Sequence, residues 1–346
     1  MDATGQPLPL TYVLPVRWGS PGGVAELGAY LGELRQWVSE LVVVDASPPA
    51  VFGAIAAGLP PGTRHVRPDP ELSFAMGKVD GVLTGLAQAS EDLAVVADDD
   101  VRWDREGLER AVRLLATAEV VRPQNYFEPL VWHARIDTAR SLINRAWSGD
   151  RALGAGDFPG TLAVRTEFVR AIGGYDGNCL FENLELMRTV LAAGGRVVTP
   201  LDLFVARRPP PTSHFLSQRV RQAYDDFAIP VRMAAWLALG PTVARAIRRR
   251  RRRRIAVLAL GAIAVAETGR RRGRGASVFP MTSSLLAPVW LTERAVCSWL
   301  ALRDRLFRGG VSYGESRLAR SAHSLAELRS SSTSSSEATV VGVPSA

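Results

Sequence analysis

The chain has 346 residues, of which 47% are hydrophobic and 22% charged, enough for one large α/β domain with an appendage and too apolar for a disordered chain. Its two cysteines, Cys179 and Cys297, exclude a disulfide framework and a cysteine-rich zinc site, and they point to a reducing compartment. The net charge of +8 is uneven: residues 1–210 carry 20 basic and 26 acidic side chains, whereas residues 211–346 carry 22 and 8. The basicity therefore belongs to the tail.

Residues 1–10 have neither the basic start nor the apolar centre of a secretory leader, so the chain is expected on the cytoplasmic side. The run 10–16 reads as a strand. Val24, Leu27, Leu31, Leu34 and Val38 follow at helical spacing, and 41–44 is a wholly apolar second strand stopped by Asp45. A short helix at 52–57, a strand at 63–66 and a helix at 78–89 come next. The apolar strand 93–97 then ends in Asp98, Asp99 and Asp100. Further on, the pattern predicts helices at 106–116 and 132–147, strands at 119–122 and 161–165, a Gly-rich loop at 149–160, and a helix at 166–172 closed by Gly173 and Gly174. This alternation predicts an α/β fold with a mostly parallel central sheet. In such sheets ligands collect at the carboxyl ends of strands, so the acidic residues ending the second and fourth strands are expected to share one crevice.

From residue 227 the character changes. Two apolar stretches, 233–244 and 255–266, flank a block containing seven consecutive arginines, Arg248 to Arg254. Neither stretch reaches the roughly 20 apolar residues of a self-sufficient membrane span. A third stretch, 285–306, carries Trp290 and Trp299 but is interrupted by Glu293 and Arg294, which suits an interface better than a crossing. The expected organisation is a catalytic domain at 1–226, an apolar, Arg-rich helical region associated with a membrane at 227–310, and a tail at 311–346 that is Ser-rich and disordered from about 330. Nucleic acid is not an expected partner, because no aromatic residue interleaves with the Arg run.

Three adjacent carboxylates repel one another unless a cation compensates, and Asp98 and Asp100, separated by one residue, can face the same side. Hard oxygen donors of this kind suit Mg2+ or Mn2+. The same triplet also fits the acidic start of a following helix. Glu182 and Glu185 open another helical pattern, where one could act as general base or both could simply meet the helix dipole. Gln218 and Arg221, three apart on a helix, could meet a leaving diphosphate or form a solvated face. Asp45 fits either a base or ribose contact or a turn before Ser47-Pro48. The four histidines show no metal spacing, and the chain has neither a complete dinucleotide glycine motif nor a Gly-X-Ser-X-Gly elbow.

In order and spacing these pieces resemble the family 2 glycosyltransferases of the GT-A fold, and among them the membrane-linked ceramide glucosyltransferase-like group. The likeness covers about residues 10–225. It rests on Leu14-Pro15-Val16-Arg17 at the end of the first strand, Asp45 after the second, Gly77-Lys78 before the fourth, and Asp98-Asp99-Asp100. Gly173-Gly174-Tyr175-Asp176, then Glu182-Asn183, and finally Gln218 and Arg221 of the closing Gln-X-X-Arg-Trp complete it. The resemblance implies an inverting transfer of a sugar from a nucleotide-diphosphate donor, in family terms a UDP-sugar, to an acceptor hydroxyl, and the apolar, Arg-rich tail points to an acceptor on a lipid. It implies donor contacts from Pro15, Arg17, Asp45, Lys78, Asp98, Asp99, Gln218 and Arg221, and a divalent metal on Asp98 and Asp100. Two departures stand out: Asn183 replaces the family's base Asp, and Gln222 its Trp. Asparagine accepts no proton usefully at neutral pH, which passes the base role to Glu182, ahead of Glu185. The alternative is a membrane-bound, catalytically impaired scaffold.

Overall fold

The structure, a computed structural model, describes residues 6–149, 160–314 and 316–331. β1 (Leu8–Val16) shows why a sheet covered on both faces forms here. Leu10, Tyr12 and Leu14 point into one core with α1 (Val24–Leu34), α2 (Pro49–Gly58) and α4 (Arg105–Leu115), while Val13 points into a second core. That second core is completed by α3 (Gly77–Gln88) and α7 (Glu182–Ala192). Successive strand side chains alternate between faces, so apolar residues at both parities require a helical layer on each side.

The remaining strands of the main sheet are β2 (Val38–Asp45), β3 (Arg64–Val66), β4 (Leu93–Ala97), β6 (Val120–Val121), β8 (Thr161–Arg165) and β9 (Val197–Val198). Their order is β3-β2-β1-β4-β8-β6-β9. β1 is parallel to β2 and β4, whereas β8 runs antiparallel between β4 and β6. The expectation of a mostly parallel α/β sheet holds, with β8 as the reversed strand. A second sheet joins β5 (Val101–Arg102), β10 (Phe204–Arg207) and β7 (Gln124–Phe127). Its register pairs Arg207 with Val101, immediately after the acidic triplet.

α3 lies unusually close to the centre of the main sheet. A Cβ on Gly85 would stand 2.2 Å from a Val13 methyl, and one on Gly81 would stand 2.8 Å from the Pro15 side chain. Glycine at both positions lets the helix settle on β1, which brings its first turn and Lys78 to the strand ends.

The C-terminal region docks on this domain through α5 (Trp132–Trp147) and not by its own apolar stretches alone. α6 (Thr166–Ala171), α8 (Thr212–Ser217) and α9 (Arg219–Tyr224) precede it, and it comprises α10 (Pro230–Arg248), α11 (Arg252–Arg271), α12 (Met281–Leu285) and α13 (Ala287–Phe307). Ala139, Leu142 and Ile143 of α5 share a core with Ala262 and Ala266 of α11 and with Phe279 and Trp290. At Gly269 a Cβ would lie 1.8 Å from the Leu142 carbonyl oxygen, so the two helices touch backbone to backbone. Among the described residues no helix is long and apolar enough to cross a membrane. The hairpin β11 (Val311–Tyr313) and β12 (Ser316–Leu318) then returns Val311 and Leu318 to the second core. Leu180 and Phe181 donate their backbone N–H groups to Arg320 and Ser321 at 3.0 and 2.8 Å. Most of the Gly-rich loop and of the Ser-rich end, including its expected disorder, falls outside the described residues.

Buried charge locks α5 to the region that follows. Asp137 accepts from Arg219 at 2.8 Å and from Arg140 at 3.2 Å, and Arg219 also meets Glu293 of α13 at 2.8 Å. Burial acts to raise the Asp137 pKa, but Arg140 and Arg219 outweigh it and lower it to about 2. Its folded value thus lies below the unfolded one of about 3.9, so its stabilisation is present above pH ~4 and is lost as pH falls towards 2. Asp137→Asn removes the anion beside a buried guanidinium and is expected to cost about 3–5 kcal/mol at neutral pH. Urea denaturation between pH 7 and 2 checks this: the variant loses stability at pH 7 and shows a smaller further loss across the acid range.

Candidate active site

A cavity of about 690 Å³ opens at the carboxyl ends of β1 and β4 and is lined by Pro15, Arg17, Trp18, Lys78, Asp98, Asp99, Asp100, Glu182, Arg207, Gln218 and Arg221. Of the sequence-predicted site residues, all but Asp45 and Glu185 reach it.

The acidic triplet meets a different partner at each residue. Asp98 accepts from Lys78 Nζ at 2.5 Å through Oδ1 and from Arg207 at 3.4 Å through Oδ2. Its backbone N–H donates to the Gly160 carbonyl at 2.7 Å. Asp99 accepts from the Trp18 indole N–H. Asp100 Oδ2 accepts from Arg207 Nε at 2.7 Å, while its Oδ1 is buried with no hydrogen-bond partner. Burial raises the Asp100 pKa; Arg207 opposes this, and Asp98 and Asp99 add to it. A buried carboxylate oxygen left without a donor, beside two further carboxylates, is a hard all-oxygen set of the kind Mg2+ and Mn2+ take. Asp98 and Asp100 therefore fit a divalent ion. The backbone around Asp98 is equally constrained, since a Cβ on Gly160 would lie 2.1 Å from Asp98 Oδ2.

Lys78, the chain's single lysine, also reaches Glu182 Oε1 at 2.5 Å. Burial would lower its pKa, but Asp98 and Glu182 together hold it well above the usual lysine range. The lysine is therefore a permanent cation in the cavity wall. Glu182 opens α7, and its Oε2 accepts from the Asn183 backbone N–H at 2.7 Å.

Two of the expected site residues lie buried behind the cavity wall. Glu185 is fully buried, accepting from the His323 backbone N–H at 2.7 Å and from its Nδ1 at 2.8 Å, within a cluster that includes Cys179 and Asp176. Residues three apart share a helical face, but Glu185 lies nearly a turn further along α7 than Glu182, where it anchors the C-terminal segment outside the cavity wall. Asp45 is likewise fully buried. Its Oδ1 accepts from the Ser47 backbone N–H at 2.7 Å and its Oδ2 faces His65 Nε2 at 3.1 Å, the turn-forming use of Asp, while its neighbours Val44 and Ala46 line the cavity.

Gln218 sits between α8 and α9, beside His214 Nε2, and its Oε1 accepts from Arg221 at 2.9 Å. The Arg221 guanidinium stacks 5.1 Å from the Tyr313 ring, which the C-terminal hairpin supplies. Several lining residues carry no sequence signal strong enough to be singled out: Trp18, Arg207, His214, Asp225 and Tyr313. Trp18 follows the strand-end Arg17 and was findable by position. Arg207 was not, because only the pairing of β10 with β5 carries it to the triplet.

The Gly160 contact yields a test. Gly160→Ala pushes the Asp98 carboxylate aside, so Mn2+ affinity is expected to fall by about tenfold or more, as for loss of a ligand's support, with the fold retained. Calorimetric Mn2+ titration beside a melting curve measures both.

No protein-family model matches the sequence, and no curated protein matches it. Solved structures do. A mannosyltransferase from Pyrobaculum calidifontis, in complex with GDP-Man and Mn2+, is 21% identical and superposes with a TM-score of 0.51 over 85% of this chain and 89% of that one. Glucosyl-3-phosphoglycerate synthase from Mycobacterium tuberculosis, in complex with Mn2+, UDP-Glc and phosphoglyceric acid, is 19% identical over 59% of this chain and 73% of that one, with a TM-score of 0.40 that falls short of a shared overall fold. By its likeness to the mannosyltransferase, the chain has the GT-A type of nucleotide-sugar transferase fold.

Proposed function

We propose that the protein is an inverting, metal-dependent glycosyltransferase that moves a sugar from a nucleoside-diphosphate donor to an acceptor hydroxyl. The observation that carries this reading is the acidic triplet at the cavity floor, with one buried Asp100 oxygen unsatisfied and Lys78, Arg207 and Arg221 in the surrounding wall. That is a site for a divalent cation and a polyanion together. The mannosyltransferase of similar fold holds GDP-Man and Mn2+, which supports the same pairing here, with a UDP-sugar as the other donor class to test.

Asp98 and Asp100 would hold the ion, which when bound supplies Lewis-acid neutralisation of the departing diphosphate. The chain's own groups do the rest. Lys78 is held in place by Asp98 and Glu182, so it meets a phosphate oxygen as a positioned charge that need not reorganise during reaction. Arg221, braced by Gln218 and Tyr313, presents a planar guanidinium to the same cavity. Pro15, Arg17, Val44 and Ala46 wall the cavity at the ends of β1 and β2, where the nucleoside rests in this reading; the buried Asp45 shapes that wall through its turn.

Transfer of label from a panel of UDP- and GDP-sugars into lipid and water-soluble products, with Mn2+, Mg2+ or chelator, tests the proposal. Metal-dependent product is expected from the wild type, reduced by at least about 100-fold in Asp98→Ala/Asp100→Ala. Metal-dependent nucleotide binding without product from any donor would instead establish the impaired-scaffold alternative.

We further propose that the acceptor lies at a membrane surface, as in the ceramide glucosyltransferase-like group, with the catalytic domain on the cytoplasmic side. The support is a basic groove of Arg245, Arg249, Arg251, Arg253 and Arg254 lined also by Val257 and Leu258, next to exposed Ile247 and Leu260. Basic residues beside protruding apolar ones suit an anionic interface. Sedimentation with vesicles is expected to bring down the protein with anionic but not neutral lipid. Arg249→Ser/Arg251→Ser/Arg253→Ser should weaken that binding by about 1 kcal/mol per charge, and equal recovery with neutral vesicles would sink the proposal.

A further inference from the structure

The cavity extends past Gln218 and Arg221 to the C-terminal helices, where Asp225, Trp290 and Arg294 line it. Asp225 follows directly on α9, one helical turn beyond Arg221. The other carboxylates lining the cavity each accept from a donor: Asp80 from the Phe74 N–H, Asp98 and Glu182 from Lys78, Asp99 from Trp18, Asp100 from Arg207, and Asp226 from Arg232 and Arg294. Asp225 stands apart. Its Oδ1 is shut off from bulk solvent and has no hydrogen-bond partner, although the residue opens into the cavity.

Sugar transfer needs a group to receive the acceptor's proton, and the candidates weighed from sequence are poorly placed for it. Asn183 has no basic oxygen. Glu185 is buried against His323. Glu182 faces the cavity, but one of its oxygens is held by Lys78 and the other by the N–H of its own helix. Lone pairs already shared with a cation and an amide are weak proton acceptors.

Asp225 has the opposite surroundings. Burial pushes its pKa up to about 7; Arg221 from α9 and Arg294 from α13 oppose the rise, and Asp226 beside it and Glu182 from α7 add to it. A carboxyl group balanced near neutrality is both ionised enough to accept a proton and basic enough to hold it.

Resting on the transferase reading above, we propose that Asp225 is the general base of the reaction. Its carboxylate, which no donor among the described residues engages, takes the proton from the acceptor hydroxyl as that oxygen forms its bond to the anomeric carbon. The bond from that carbon to the diphosphate oxygen breaks, and its electron pair leaves with the diphosphate. The acceptor accordingly enters between α9 and α13, on the side of the cavity built by the C-terminal region.

The test compares wild type, Asp225→Asn, Asp225→Ala and Glu182→Gln in the full-length protein. Asp225→Asn is expected to bind nucleoside diphosphate with Mn2+ within twofold of wild type by calorimetry, yet to lose about 100-fold or more in kcat, the scale of a missing general base. Wild-type kcat should fall by about tenfold per pH unit below about 7. That acid limb should vanish in Asp225→Asn and persist in Glu182→Gln. Added formate should restore part of the turnover of Asp225→Ala. An Asp225→Asn enzyme within threefold of wild-type kcat, or one that keeps the acid limb, overturns the proposal while leaving the transferase reading intact. A wild type without turnover from any donor removes the transferase reading and this proposal with it. A folding defect in the Asn variant leaves formate rescue of the Ala variant as the deciding measurement, and failure of rescue there overturns the assignment.

Discussion

Three carboxylates leave β4 side by side, and the cations that make this tolerable come from distant parts of the chain. Lys78 arrives from the first turn of α3 and Arg207 from the last residue of β10. Like charges at such separations in a partly dry cleft repel by several kcal/mol if uncompensated. The close seat of α3 on β1, possible because Gly81 and Gly85 have no side chains, is therefore as much an electrostatic requirement as a packing one. The same applies to the second sheet, whose register sets Arg207 beside the triplet. One Asp100 oxygen still lacks a donor, so the compensation is incomplete without a further positive charge.

The C-terminal region belongs to this arrangement. Its helices look from composition like an appendage with its own destination, yet Gly269 of α11 packs directly on the backbone of α5, and a chain from the buried Asp137 and Arg219 to the half-buried Glu293 ties α5, α9 and α13 together. Removing one member of such a chain leaves an uncompensated charge in a dry place, so the docked arrangement is costly to disrupt at that point. The hairpin that follows delivers Tyr313 to Arg221 and pins the loop before α7 through Arg320 and Ser321. The region thus has two faces, one completing the cavity and the other carrying the arginine groove and exposed aliphatic residues.

The placing of carboxylates follows one rule throughout the site: an oxygen's chemistry is decided by what else holds it. Glu185, Asp45 and Glu182 are all acidic residues that the sequence offers as site candidates. Glu185 is consumed by His323, Asp45 by Ser47 and His65, and Glu182 by Lys78 and an amide. Asp225 belongs to no recognised pattern and is left without a donor.

The sequence alone determined most of the alternating strands and helices up to residue 172 and the crevice at the strand ends, because apolar periodicity and strand-terminal acids are local properties, whereas the second sheet of β5, β10 and β7 carried no such signal. The run 41–44 became the buried centre of β2, and Asp98, Asp99 and Asp100 stand at the cavity as their position after an apolar strand required. Where the C-terminal helices would go was not legible, since an apolar stretch of twelve residues reads alike whether it meets lipid or protein. Nor could spacing tell which of Glu182, Glu185 and Asp225 keeps a free oxygen. Only tertiary structure decided these points, because burial, the partner of each oxygen and the resulting proton affinity depend on residues far apart in the chain that meet only when it folds.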